Sequence, residues 1–261
     1  MRRFSAEYLE DTREGMWADR TALEPLRLGS RERVLDVGCG TGELTAVLAE
    51  ESPGEVVAAD ADPALLGYAT ADERVLADAT RLPFRAAFDL VVCQALLVNL
   101  PDPVGALREF ASASTELVAA VEPDNGAVAV ESTVGGESAL AASAREAYIE
   151  GVDTDITLGK DLETLFERAG ISDVESRIHY HRRTVEPPYG ESDYEAARRK
   201  ARGDELRDTR GELLASGLSE SAYDALEADW RAMGENVVEA MEENNYRRAE
   251  VIPFHVAVGR V

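Results

Sequence analysis

The stretch Arg33-Val34-Leu35-Asp36-Val37-Gly38-Cys39-Gly40-Thr41-Gly42-Glu43-Leu44-Thr45 reads as strand, turn and helix. Val34, Leu35 and Val37 suit a buried parallel strand. Glycine at every second position from Gly38 to Gly42 lets the backbone turn sharply, and Glu43 to Ala49 resumes at helical spacing. A ligand can approach bare backbone in such a turn. Amides at the start of a helix carry unpaired N–H groups and partial positive charge, so the turn suits a carboxylate or phosphate. A dinucleotide fingerprint, Gly-x-Gly-x-x-Gly, would need glycine where Glu43 stands, which weakens a dinucleotide oxidoreductase reading.

The pattern repeats downstream. Glu55 to Asp60 is a second apolar strand ending in a carboxylate. In a right-handed βαβ unit its tip lies beside that of strand one, and the two oxygens of Asp60 suit adjacent ribose hydroxyls. Asp62-Pro63 has the form of an N-cap followed by proline at the first helical position. Arg74 to Phe84 is again strand and acidic tip, with Asp78 and Ala79 at the turn, and Ala87 to Gln94 is strand four. Asp102-Pro103 opens the next helix, and Glu116 to Asp124 is strand five. Helices follow over Glu137 to Ile149 and 159–169, with Gly170 as C-cap. Asp173 to Val185 and Val251 to Val261 are strands. Between them, Glu191 to Arg247 favours helix, with Trp230, Met233, Val237, Val238 and Met241 as a core-facing stripe.

Three of these segments resemble class I S-adenosylmethionine (SAM)-dependent methyltransferases. Asp36, Gly38, Gly40 and Gly42 match the family's first motif, Asp78-Ala79-Thr80-Arg81-Leu82-Pro83-Phe84 its Asp-Ala-x-x-Leu-Pro-Phe segment, and Phe88-Asp89-Leu90-Val91 the opening of its strand four. The resemblance spans residues 30 to about 125. It implies an α/β fold: a seven-stranded, mostly parallel, doubly wound sheet in the order 3-2-1-4-5-7-6, last strand antiparallel, with ligand at the carboxyl ends of the strands. It also implies SAM as cofactor, held by Asp36, Gly38, Cys39, Gly40 and Gly42. Asp60 and Ala61 then face the ribose, Asp78 and Ala79 the adenine, and Gln94 the transferred methyl. In this family an N-terminal helix often lies across the cofactor, so Tyr8, Arg13 and Trp17 are candidates to close the site; a helix packed on the sheet edge accounts for them equally. The histidine that many small-molecule members carry after strand four is replaced by Val98 and Asn99.

Methyl transfer from a sulfonium needs proximity and alignment more than a base. His179 and His181 share one face of a strand. They are either a source of a general base or a pair of structural histidines, and with Gln94 they complete the catalytic candidates. Nine of the 27 basic residues lie between positions 177 and 210 of a chain with net charge −24. This points to a small-molecule acceptor with an anionic group, held by one or more of Arg182, Arg183, Arg198 and Arg199, with Glu122 and either Tyr189 or Tyr194 lining the pocket; solvated helix pairs explain the arginines as well. Glu186-Pro187-Pro188-Tyr189 follows strand six instead of strand four, so it does not serve as the amine-methylating motif it resembles. Gln94 stands where a catechol-type magnesium site needs aspartate, so no metal is expected. The alternative to an enzyme is a SAM-binding regulator or scaffold.

Composition bounds the rest. With 261 residues and 45% hydrophobic composition, the chain suits one domain, with residues 1–30 as a helical N-terminal lid and 191–247 as a helical insert. The longest apolar run, Leu90 to Leu100, is too short to cross a bilayer, so no membrane and a cytoplasmic location are expected. Cys39 and Cys93 are the only cysteines, too few for a disulfide framework. Asp+Glu number 51 against Lys+Arg 27, with Lys160 and Lys200 the only lysines. That balance disfavours nucleic acid and resembles adaptation to a cytoplasm at very high salt, where the Debye length falls to about 3 Å. The sequence leaves the oligomeric state open.

Overall fold

A computed structural model describes residues 5–261; Phe4, expected on the first helix, lies outside the described residues. The strands are β1 (Arg33–Val37), β2 (Glu55–Asp60), β3 (Glu73–Leu76), β4 (Phe88–Gln94), β5 (Ser114–Pro123), β6 (Ala129–Ser132), β7 (Ser172–Val185) and β8 (Arg248–Arg260). The helices are α1 (Ala6–Arg13), α2 (Glu43–Glu51), α3 (Pro63–Leu66), α4 (Pro103–Ala113), α5 (Glu137–Gly151), α6 (Leu162–Ala169), α7 (Glu191–Arg202), α8 (Asp204–Asp208), α9 (Arg210–Ala215) and α10 (Glu220–Glu242). The chain divides into two compact units. One takes the described residues up to Asp124 with Leu158–His179 and Phe254–Val261; the other takes Asn125–Thr157 and Tyr180–Pro253. The second unit therefore draws in more of the chain than the expected insert 191–247.

The first unit is built on a sheet in the order β3-β2-β1-β4-β5-β8, with β7 beside β8. β1 pairs in parallel with β2 and with β4, and β5 pairs antiparallel with β8, Glu122 opposite His255. In chain order β7 and β8 are the sixth and seventh strands of the expected arrangement, and the order agrees with it. Val34, Leu35, Val91, Val92 and Val118 are fully buried, as continuous apolar strands must be when both faces of a parallel sheet are covered. Leu107 and Phe110 of α4 and Phe166 of α6 join this core. Asp62 and Asp102 cap α3 and α4 by accepting from Ala64 and Gly105 N–H, each followed by proline.

The N-terminal stretch is not one helix. α1 ends at Arg13, Gly15 takes φ +70°, and the chain continues through 3-10 turns at Thr21–Leu26, which includes Pro25, and Leu28–Ser30. Proline cannot donate the backbone hydrogen bond a continuous helix requires.

The second unit is mainly helical. Trp230, Met233, Val237 and Met241 of α10 are buried with Ala197 of α7, Leu206, Leu213 and Tyr223, as the helical spacing predicts. Gly234 permits the close approach of α10 to α7, since a Cβ there would collide with the Ala201 backbone nitrogen. The first residues of β8 belong to this unit and pair antiparallel with the short β6, Ser132 opposite Arg248.

Candidate active site

The turn after β1 is fixed from below by β2. Gly38 and Cys39 N–H both donate to the Ala59 carbonyl, at 2.7 and 3.1 Å. Gly40 N–H donates to Asp60 Oδ2 at 2.9 Å, and Asp62 N–H to Asp60 Oδ1 at 2.8 Å. Asp60 thus ties the first two strand tips together, and each of its oxygens keeps a lone pair for a further donor. Gly40 and Gly42 take φ +56° and +91°, which residues with a side chain rarely adopt. At Gly42, the N-cap of α2, a Cβ would also stand 2.7 Å from the Ala69 backbone.

Beneath the turn lies an incomplete set of polar partners. Asp36 is buried; its Oδ2 accepts from Thr45 Oγ1 at 2.6 Å, while Oδ1 has no donor. Burial pushes its carboxyl up to about 7, with the Asp60 charge adding to the effect. Burial likewise pushes Glu43 up to about 7, and its Oε2 is buried without a partner. Arg13, at the end of α1, sits in the fields of Glu43, Glu122 and Asp36, with burial pulling its pKa down. An unpaired acceptor and a half-buried cation therefore converge on the glycine turn. That donor set fits the ammonium and carboxylate of an amino acid, the chemistry that the methionine portion of SAM presents, and Asp60 fits its ribose.

The N-terminal segment covers this turn. Leu9 of α1 packs on it: a Cβ at Gly40 would lie 3.0 Å from Leu9 Cδ1. Met16 and Trp17 are buried, Trp17 Nε1 donates to Gln94 Oε1 at 3.1 Å, and Gln94 Nε2 lies 3.1 Å from Met16 Sδ. The Trp17 ring stacks on His179 with centroids 5.1 Å apart. His179 is buried, and its Nε2 has no hydrogen-bond partner. Trp17, Gln94 and His179, expected separately from the sequence, are thus in contact. Tyr8 is 51% exposed.

The other candidates fall elsewhere. Asp78 is exposed, with Oδ1 accepting from the N–H and hydroxyl of Thr80; Ala79 behind it is buried and Ala61 exposed. Glu122, expected to line the acceptor pocket, is fully buried, and backbone N–H groups take both of its oxygens. Its Oε1 accepts from Leu96 and Leu97 N–H at 3.0 and 2.9 Å, and its Oε2 from Val98 N–H at 3.3 Å. It shapes the loop after β4, and burial pushes its carboxyl up to about 7.

In the second unit, His181 is buried and Arg183 half-buried, while Arg182 on the opposite face of β7 is exposed. Arg198 pairs with Glu195 at 3.6 Å and Arg199 with Asp208 at 2.9 Å, each with about half its side chain in solvent (56% and 48%). Both pairs have the form of solvated helix charges. Tyr189 donates its hydroxyl to the Tyr246 carbonyl at 2.8 Å. Sequence reasoning missed Glu43 and Thr45; their position on the first turns of the helix after the glycines is the signal that could have found them.

Residues 35–114 match the family model described as a methyltransferase domain. The chain is 37% identical over 107 residues to the demethylmenaquinone methyltransferase of Lactiplantibacillus plantarum, covering 36% of this chain and 45% of that protein. To the Mycobacterium marinum protein of the same name it is 40% identical over 95 residues, covering 35% and 41%. The chain thus spans less than half the length of these relatives. Among solved structures, the YcgJ protein from Bacillus subtilis shares the fold with a TM-score of 0.52 at 14% identity, over 91% of this chain and 96% of that one. Residues 35–114 are thus similar in sequence to a methyltransferase domain, and they lie in a doubly wound, mostly parallel sheet of the kind that the Bacillus subtilis protein shares.

Proposed function

We propose that the protein is a SAM-dependent methyltransferase acting on a small-molecule acceptor, in a cytoplasm at high salt. The observation that carries this reading is the buried, unpartnered Oδ1 of Asp36 below a glycine turn whose next strand ends in Asp60. The match of residues 35–114 to a methyltransferase domain supports it. The relatives' names, which specify demethylmenaquinone, support an acceptor of small-molecule size.

SAM supplies a methyl on a sulfonium, open to in-line displacement. Asp36 and Arg13 hold the amino-acid end, Asp60 the ribose, and Asp78 with Ala79 the adenine. The buried Trp17, Gln94 and Met16 exclude water, which strengthens the electrostatic contacts within. His179, whose buried Nε2 has no partner, takes the acceptor's proton where the acceptor needs activation.

Turnover tests this. Incubated with SAM and acceptor fractions from its host at multimolar salt, the protein should form S-adenosylhomocysteine. Binding of SAM with no product across all fractions would favour a sensor or scaffold.

A further inference from the structure

The glycine turn is gripped from two places. Leu9 lies against Gly40, and Leu96, in the loop after β4, lies against Gly38, where a Cβ would stand 2.8 Å from its Cδ1 and 2.9 Å from its Cδ2. Gly38 takes φ +70°, and its N–H is tied to the Ala59 carbonyl. Both leucines are buried. Packing this close leaves the turn little room to shift unless a leucine moves first.

Leu96 is itself placed by a loop with little regular structure. Ala95 takes φ +49°, a single 3-10 turn follows at Leu97–Asn99, and Asn99 Nδ2 closes the loop by donating to the Ala95 carbonyl at 2.8 Å. N–H groups at the start of such a turn have no partner within it. Glu122 accepts from three of them in succession, Leu96, Leu97 and Val98, reaching over from β5 with β4 between it and β1. Cys93 Sγ lies 3.6 Å from the same Oε1. Glu122 is 0% exposed, so it offers no surface to a ligand. A carboxylate is costly to bury, and an apolar side chain would fill the space at less cost; the three backbone bonds are the physical reason for a carboxylate here.

We infer that Glu122 is a positioning residue of the cofactor site: it holds the loop after β4 so that Leu96 seats Gly38, and so sets the glycine turn for SAM. Its action passes through Leu96 and not through contact with the ligand. This role rests on the function proposed above.

The test is calorimetric titration of SAM into the full-length protein and its variants, each checked for folding by circular dichroism. Glu122→Leu leaves the three N–H groups without an acceptor and should weaken SAM binding about tenfold or more, the size of loss that unpaired buried donors imply. Glu122→Gln keeps a carbonyl oxygen for Leu96 and Leu97 and should restore binding to within about threefold of the wild type. Leu96→Ala should weaken binding as Glu122→Leu does, and the double variant should bind no more weakly than the weaker single one, because both act along one path. Where Glu122→Leu does not fold, Glu122→Asp, whose carboxylate falls one methylene short of the loop, takes its place. Wild-type affinity in the folded Glu122 and Leu96 variants, equal weakening by glutamine and leucine, or losses that multiply in the double variant would each overturn the role. Absence of SAM binding to the wild type removes the proposed function itself, whereas wild-type binding that the variants leave unchanged removes only the role of Glu122.

Discussion

The indole Nε1 of Trp17 donates to the side-chain oxygen of Gln94 across 3.1 Å, joining positions 77 residues apart. The bond fixes the N-terminal segment to the tip of β4, and the same indole stacks on His179. A segment held this way covers the glycine turn by tertiary contacts instead of by a continuous helix.

Trp17→Phe should keep the stacking surface and lose the donor, leaving Gln94 Oε1 buried and unpaired. The expected cost is about 1–3 kcal/mol, read by chemical denaturation. Trp17 and Trp230 are the only tryptophans, so a change in intrinsic fluorescence on adding SAM should persist in Trp230→Phe and vanish in Trp17→Phe. A signal that persists in Trp17→Phe would place the cofactor away from this segment.

Asp60→Ala removes the acceptor for Gly40 and Asp62 N–H and for the ribose hydroxyls. SAM affinity should fall about ten- to a hundredfold, the loss of roughly 1.5–3 kcal/mol that a charged hydrogen-bond acceptor represents. Calorimetric titration decides this, and wild-type affinity in the variant would mean that Asp60 serves the turn alone.

The parallel core and the glycine turn were legible because their causes are local. A doubly covered strand needs an unbroken apolar run such as Val56 to Ala59, and the turn's backbone angles need glycine. Asp60 was legible because strand register places it beside the turn. Glu122 was misjudged, since nothing in sequence tells a carboxylate that faces a ligand from one that caps the backbone of a neighbouring loop. The surroundings of the arginines were not legible for a similar reason. Arg182 and Arg183 are adjacent in sequence, but strand alternation sends them to opposite faces, and Arg183 pairs with Glu250 of β8, a segment far from it in sequence. The break after Arg13 escaped a reading based on apolar spacing, although Gly15 and Pro25 marked it.

Stability should fall as pH rises through about 7, at constant salt. Asp36 and Glu122 are both raised to about 7 by burial, so between their unfolded values and 7 the folded state holds protons that the unfolded chain has released. Their stabilising contribution is complete below the unfolded values and is lost as pH rises through the folded ones, at up to about 1.4 kcal/mol per pH unit for each group. Asp36→Asn should flatten part of this slope in denaturation curves between pH 5.5 and 8. An unchanged slope would show that Asp36 does not titrate in that range.

Salt should act in the opposite direction to its usual effect on ion pairs. With net charge −24 the folded chain repels itself, and screening relieves the repulsion. Circular dichroism and Tm should therefore decline on dialysis into salt-free buffer and recover when potassium chloride is restored. Full retention of both without salt would remove the high-salt adaptation.

The central claim is that the glycine turn between β1 and α2 binds SAM. Its most direct measurement is calorimetric titration of SAM into the wild type and Gly40→Val in parallel. In the variant, a β-branched side chain would occupy the turn at φ +56°, with its Cβ 3.0 Å from Leu9. Saturable binding to the wild type and none to the folded variant is the result this account predicts. Absence of binding to the wild type, or equal affinity in the two proteins, would contradict it.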